Sequence, residues 1–225
     1  MSLIDILFPK KCLGCDVTGN YLCGNCASKL FLAKKICPMC ERSSIDGMTH
    51  IKCKKPLGLN GLVSVWEYKG VTKKLIKALK FRFAKDVSKD ISRELAQYLK
   101  VEINALPKDA YLVPIPLHKK RQNWRGFNQA EVLAEAISEK TNWKLIPDLL
   151  IRIKQTKPQA DLIEEERKKN VRGIFNLNPK YQIQNSKYPY ILIDDVYTTG
   201  STIREACKVL KRNGAKVIWG LTVAK

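Results

Sequence analysis

The sequence predicts an α/β fold, a mostly parallel sheet flanked by helices, preceded by a small N-terminal metal-bound module. Three observations predict it. Apolar strand-like runs alternate with helical patterns from residue 59 onward, which is the order that builds parallel sheets covered by helices. One run, Ile191 to Ile193, is apolar throughout, as a strand buried on both faces must be, and it ends in two carboxylates. Before residue 59, four ligand pairs follow one another: Cys12-x-x-Cys15, Cys23-x-x-Cys26, Cys37-x-x-Cys40 and His50-x-x-Cys53. At 225 residues the chain accommodates one module, expected over 1–58, and one α/β domain, expected over 59–225.

In the module each pair presents two donors to one tetrahedral ion. The eight ligands Cys12, Cys15, Cys23, Cys26, Cys37, Cys40, His50 and Cys53 therefore suffice for two closed structural Zn²⁺ sites, one Cys₄ and one Cys₃His. Short turns containing Gly19 and Asp46-Gly47 favour pairing in sequence order, and interleaved pairing stays open. Paired CxxC spacing in a chain with no recognisable signal peptide suits metal better than disulfides. Few large apolar residues fall within 1–58, so metal is expected to provide its folding energy.

The α/β elements follow in order. A strand is expected near Leu62 to Tyr68, helices over Thr72 to Lys80 and Ser88 to Leu99, and a strand over Tyr111 to Ile115. Next come a helix over Gln129 to Lys140, a strand over Lys144 to Ile146, and a turn or helix near Leu162 to Asn170. The chain closes with strand Tyr190 to Ile193, helix Ser201 to Arg212 and strand Lys216 to Thr222. Ile203, Ala206, Cys207 and Leu210 give the last helix one apolar face, which makes Cys207 a core residue. Thr202 and Glu205 fit a capping box, and Asn213-Gly214 fits a stop.

The chemistry concentrates after Ile193. Asp194 and Asp195 stand at the carboxyl end of a strand, where open α/β sheets bind ligands. Thr198, Thr199, Gly200, Ser201 and Thr202 then open a helix with hydroxyls and a glycine able to take positive φ. Backbone N–H groups at such a turn form an anion site. Carboxylates for ribose hydroxyls and a nest for a 5′-phosphate thus fall within one turn of each other.

Tyr190 to Thr202 resembles the PRPP-binding motif of type I phosphoribosyltransferases. The remainder resembles the ComF (ComFC) family linked to DNA uptake in competent bacteria, through Val113 to His118, Arg125 to Ala130, the polar stretch Arg152 to Asn170, and the cysteine-rich start. The resemblance implies a type I phosphoribosyltransferase-like domain behind a double zinc ribbon. It implies PRPP with Mg²⁺ at Asp194, Asp195 and Thr198 to Thr202, a pyrophosphate loop at Leu117, His118 and Lys119, and a closing hood that includes Gln155, Thr156 and Gln159. Arg125 and Asn128 are further binding candidates. Purine-type relatives often carry an acid where Thr198 stands, so purine transfer is not what this loop favours. The resemblance also implies a competence helicase as partner.

Composition points to polyanions. Lys and Arg number 41 against 21 acids, a formal charge of +20; loading seven thiolates with two Zn²⁺ lowers it to about +17. Lys73, Lys74, Lys77 and Lys80 are expected to form a basic stripe opposite Val71, Leu75, Ile76 and Leu79, with Phe81 and Phe83 flanking Arg82 beyond it. Aromatics among cations stack unpaired bases, which makes single-stranded DNA the expected macromolecular ligand. No run is long enough to insert in a membrane, and Leu3 to Phe8 is too short for a leader, so a cytoplasmic place is expected. Two readings follow: a phosphoribosyl-transferring enzyme of unspecified acceptor, or a non-catalytic single-strand-binding competence factor.

Overall fold

The computed structural model describes residues 9–80, 84–102, 106–154, 171–183 and 187–225. Five strands form one parallel sheet: β1 (Gly61–Trp66), β2 (Tyr111–Pro114), β3 (Lys144–Leu145), β6 (Tyr190–Val196) and β7 (Ile218–Ala224), in the order β1-β7-β6-β2-β3. A separate antiparallel pair, β4 (Leu150–Arg152) with β5 (Phe175–Leu177), was not expected from the sequence. Its strands of three residues are too short to display an alternation. The helices beyond the cysteine-rich segment, among the described residues, are α1 (Gly70–Ala78), α2 (Ala84–Glu102), α3 (Lys119–Arg125), α4 (Gln129–Ser138) and α5 (Ser201–Arg212). The expected turn or helix at Leu162 to Asn170 lies outside the described residues.

The central strand shows why the sheet is covered on both sides. Ile191 and Ile193 join one core with Val63, Leu112 and Leu221, beneath Leu75 and Ile76 of α1, Ile91 and Leu95 of α2, and Leu133 and Ile137 of α4. Leu192, one residue out of phase, joins the other core with Leu62, Val113 and Ile218, beneath Ile203, Ala206, Cys207 and Leu210 of α5. Period-two alternation along β6 thus feeds two layers of helix. Cys12, Leu22 and Cys26 belong to the first core and Ile36 to the second, so the cysteine-rich segment packs into the same interior as the sheet.

The strand order also places the ligand edge. From β2 the chain runs outward to β3, and from β6 outward to β7 on the opposite side. The connections therefore diverge between β2 and β6, and ligands bind at the carboxyl ends of strands at such a switch point. Pro114 pairs with Ile193, and the Ile115 N–H donates to the Ile193 carbonyl at 2.9 Å. That register brings Pro116, Leu117 and His118 alongside the level of the two carboxylates.

Candidate functional site: an acidic cleft beside two metal clusters

A cleft of about 320 Å³ opens at the end of β6, lined by Asp194, Asp195, Thr198, Gly200, Ser201 and Thr202, and by Tyr68, Lys80, Tyr197 and Thr222. Each carboxylate accepts the N–H of the residue after it: Asp194 Oδ1 from Asp195 at 2.9 Å, Asp195 Oδ1 from Val196 at 2.8 Å. Asp195 Oδ2 is buried, accepts no hydrogen bond among the described residues and lies 3.6 Å from the Lys80 ammonium. Withdrawal from water, then the adjacent Asp195, holds the Asp194 carboxyl well above the usual carboxylate range. Among the described residues Lys80 is the cation within ion-pair distance of these carboxylates, and the acid pair favours a ligand that brings more positive charge.

The loop beyond the carboxylates is built for close approach of backbone. Gly200 has φ +66°, and a Cβ there would stand 2.3–2.4 Å from the Tyr197 ring, so only glycine fits. Gly200 is the N-cap of α5, whose first-turn N–H groups have no acceptors within the helix. Thr199 and Ser201 share a hydroxyl hydrogen bond of 2.8 Å. The capping box expected at Thr202 and Glu205 does not form: α5 begins at Ser201, and Glu205 accepts instead from the Gly173 N–H at 2.8 Å and from Lys208 at 3.1 Å.

The eight metal donors assemble in sequence order, Cys12, Cys15, Cys23 and Cys26 in one cluster and Cys37, Cys40, His50 and Cys53 in the other, with ligand atoms within 4.8 Å of one another in each. Cys15 Sγ lies 3.6 Å from Cys23 Sγ, and Cys40 Sγ lies 3.4 Å from His50 Nδ1. Tetrahedral ligands about 2.3 Å from a central Zn²⁺ stand roughly 3.8 Å apart, so both clusters fit the ion. His50 Nε2 lies 3.0 Å from the Ser43 carbonyl, which can only accept; the ring proton sits there and leaves Nδ1 for metal. Burial pushes the Cys12 thiol up, but backbone donors at Cys23, Gly14 and Cys15 outweigh it and pull the thiol down to about 6. The Cys207 thiol, buried in the core, is pushed up to about 12.

The second cluster touches the loop between β6 and α5. Between its first two cysteines, the Pro38 carbonyl accepts from Arg204 at 2.7 Å and from the Tyr197 hydroxyl at 3.3 Å. Arg204 also donates to the Thr199 carbonyl inside the loop. Burial pushes the Tyr197 phenol up to about 12, so it stays a donor.

Comparison with known proteins agrees with the metal-binding half of this arrangement and shows the family. The double zinc ribbon domain matches residues 3–54. Competence protein F of Haemophilus influenzae is 30% identical over 227 residues, which cover 95% of this chain and 90% of that protein. The chain belongs to the ComF family. Competence protein ComFC of Bacillus subtilis is 31% identical over 207 residues, 86% of this chain and 79% of that protein. DNA utilization protein YhgH of Escherichia coli K12 is 29% identical over 205 residues, 88% and 87% of the two chains. Among solved structures, adenine phosphoribosyltransferase from Leishmania donovani is similar over 60% of this chain and 51% of that one, at 15% identity and a TM-score of 0.36.

In this ComF chain the expected ligand residues separate into groups. Asp194, Asp195, Thr198, Gly200, Ser201 and Thr202 line the cleft, and Thr199 is bonded to its wall. Leu117, His118 and Lys119 follow β2 and do not line it. His118 caps α3, its Nδ1 accepting from the Lys120 N–H at 3.2 Å. Asn128 is buried and occupied: its Oδ1 caps α4 at the Ala130 N–H and its Nδ2 donates to the Ile115 carbonyl, both at 3.1 Å. Arg125 donates to Gln129 Oε1 at 3.0 Å. Gln155, Thr156 and Gln159, like Phe81, Arg82 and Phe83, lie outside the described residues. Lys73, Lys74 and Lys77 are exposed opposite buried Leu75 and Ile76, whereas Lys80 parts from them and enters the cleft.

Sequence reasoning missed Tyr68 and a polar row leading to Asp194. Asp194 pairs with Thr222 across β6 and β7, and Thr222 with Ser64 across β7 and β1. Thr222 Oγ1 donates to the Ala224 carbonyl at 3.2 Å, so the Ser64 hydroxyl, 2.7 Å away, donates to Thr222. A hydroxyl inside each of two otherwise apolar strands was the available signal.

Proposed function

We propose that this protein binds PRPP in the cleft at the end of β6 as a ComF-type factor of DNA uptake. The observation that carries the reading is the shared wall of the cleft: an acid pair and a glycine-capped helix start, one turn apart. The α5 N-terminus with Thr198 to Thr202 takes the 5′-phosphate, and Asp194 and Asp195 hold the ribose hydroxyls, directly or through Mg²⁺. Mg²⁺ would be held by the carboxylates of Asp194 and Asp195 and would supply positive charge to the pyrophosphate group. Lys80, 3.6 Å from Asp195, supplies one positive charge toward the diphosphate. Relatives are named as competence and DNA utilization proteins, and this supports reading the cleft as part of DNA handling rather than routine nucleotide salvage. Isothermal titration with Mg²⁺ and PRPP tests the reading: saturable heat is expected from wild type and none from Asp194→Asn with Asp195→Asn. An absence of heat in wild type overturns it.

A second reading rests on the exposed Lys73, Lys74 and Lys77 of α1. In it the cytoplasmic protein holds single-stranded DNA beside a competence helicase, whether or not it transfers phosphoribosyl. Binding would then fall by about 0.7 log units per phosphate contact for each tenfold rise in salt.

A further inference from the structure

Three of the four tryptophans are interior: Trp66, Trp143 and Trp219 are 4%, 7% and 5% exposed. Trp124 is 81% exposed, on α3. Burial of an indole is among the largest hydrophobic gains a side chain offers, and this one is left in water. Its surroundings are cationic. The segment Tyr111 to Ala130 contains no Asp or Glu, and α3 itself reads Lys119-Lys120-Arg121-Gln122-Asn123-Trp124-Arg125. Lys119, Lys120, Gln122 and Asn123 are exposed with it. Lys120 stands four residues before Trp124, hence on the same face of the helix.

The short helix is fixed at both ends. His118 Nδ1 accepts the Lys120 N–H at its start, and Gly126, with φ +79°, returns its N–H to the Gln122 carbonyl at 2.6 Å. A flat ring is thus held outward on a capped turn, at the end of β2 and the carboxyl edge of the sheet. The charge selects an anionic partner, and the bare indole selects one with a free π face. Unpaired nucleotides have both; in a duplex the base faces are already stacked.

We propose that α3 is a contact for single-stranded nucleic acid, with an unpaired base stacked on Trp124 and adjoining phosphates held by Lys119 and Lys120. The inference rests on the single-strand reading above and adds to it a contact distinct from the lysine face of α1. Because the other tryptophans are buried, indole emission reports on the contact directly.

The test titrates the full-length, zinc-loaded protein with oligothymidylate, following tryptophan emission and, separately, the anisotropy of a labelled oligothymidylate. Wild type should show quenching that saturates with the anisotropy. Trp124→Ala should lose the quench and bind about tenfold more weakly, and Trp124→Phe should retain most of the affinity because a phenyl ring still stacks. A duplex of the same length should leave emission unchanged. If wild type binds by anisotropy but its emission is unchanged and Trp124→Ala binds equally well, the stacking proposal falls and the single-strand reading survives. If neither signal appears with wild type, both fall. Quenching by duplex as strong as by single strand would also overturn the stacking proposal.

Discussion

The two metal clusters are alike in chemistry and differ in what they grip. Cys12 and Cys26 lie within the core shared by α1, α2 and the sheet. Between them Leu22 is clamped by α2: its N–H donates to Asp90 Oδ2 and its carbonyl accepts from Arg93, both at 3.1 Å. The segment of the second cluster bonds instead to the loop after β6, the start of α5 and the end of β7: the Pro38 carbonyl accepts from Arg204 and Tyr197, and Glu41 pairs with Lys225 at 3.4 Å. One cluster therefore completes a core, and the other braces the loop between β6 and α5.

The largest expected effect breaks this comparison or upholds it. Structural zinc contributes about 10–16 kcal/mol of apparent folding energy, against a total stability of about 5–15 kcal/mol for a domain. Cys12→Ser with Cys26→Ser should abolish the cooperative thermal transition. Cys40→Ser with Cys53→Ser should keep a transition at lower temperature while weakening Mg²⁺–PRPP binding by about tenfold or more. Elemental analysis should give two zincs per chain in wild type and one in the second variant. Equal loss of folding in both variants would end the distinction.

Arg204 sharpens the comparison by cutting the brace and leaving the metal. It joins the Pro38 carbonyl, the Thr199 carbonyl and the Tyr197 hydroxyl, the last at 3.2 Å. Hydrogen bonds from a charged donor are worth about 1.5–3 kcal/mol each, and part of that holds the loop in shape. Arg204→Ala should retain two zincs and lower PRPP affinity about tenfold. Unchanged affinity would mean that the second cluster reaches the loop by another route.

How legible these features were in the sequence depends on how local their cause is. CxxC spacing is local, so the ligands were readable, and the pairing order followed once short turns separated the pairs. Helix Ser201 to Arg212 was readable to the residue because a glycine precedes it and one apolar face persists through it. Lys80 was not: it continues the lysine spacing of α1, but α1 ends at Ala78 and the chain turns Lys80 toward Asp195. Asn128 looked like a ligand because an amide beside an arginine can bind phosphate. Its real partners, the Ile115 carbonyl and the Ala130 N–H, are set by how α4 docks on β2. Tertiary contacts of that kind leave no periodic trace.

The smallest effect concerns the cleft itself, and it has a definite sign. Asp194 is raised above its usual 3.8 by burial and by Asp195, so the folded state holds its proton more tightly than the unfolded chain does. Stability therefore falls as pH rises from about 4 through the raised value and stays lowered above it. Asp194→Asn removes the charge and keeps an oxygen able to accept the Asp195 N–H. The variant should match wild type near pH 4 and exceed it at neutral pH by about 0.5–2 kcal/mol, the usual gain where a functional site carries strain. Protonation of the zinc thiols at low pH affects both chains alike, so the difference between their melting curves isolates Asp194. A difference that does not change with pH would mean that the carboxyl is not strained, and the cleft would lose its claim to be waiting for positive charge.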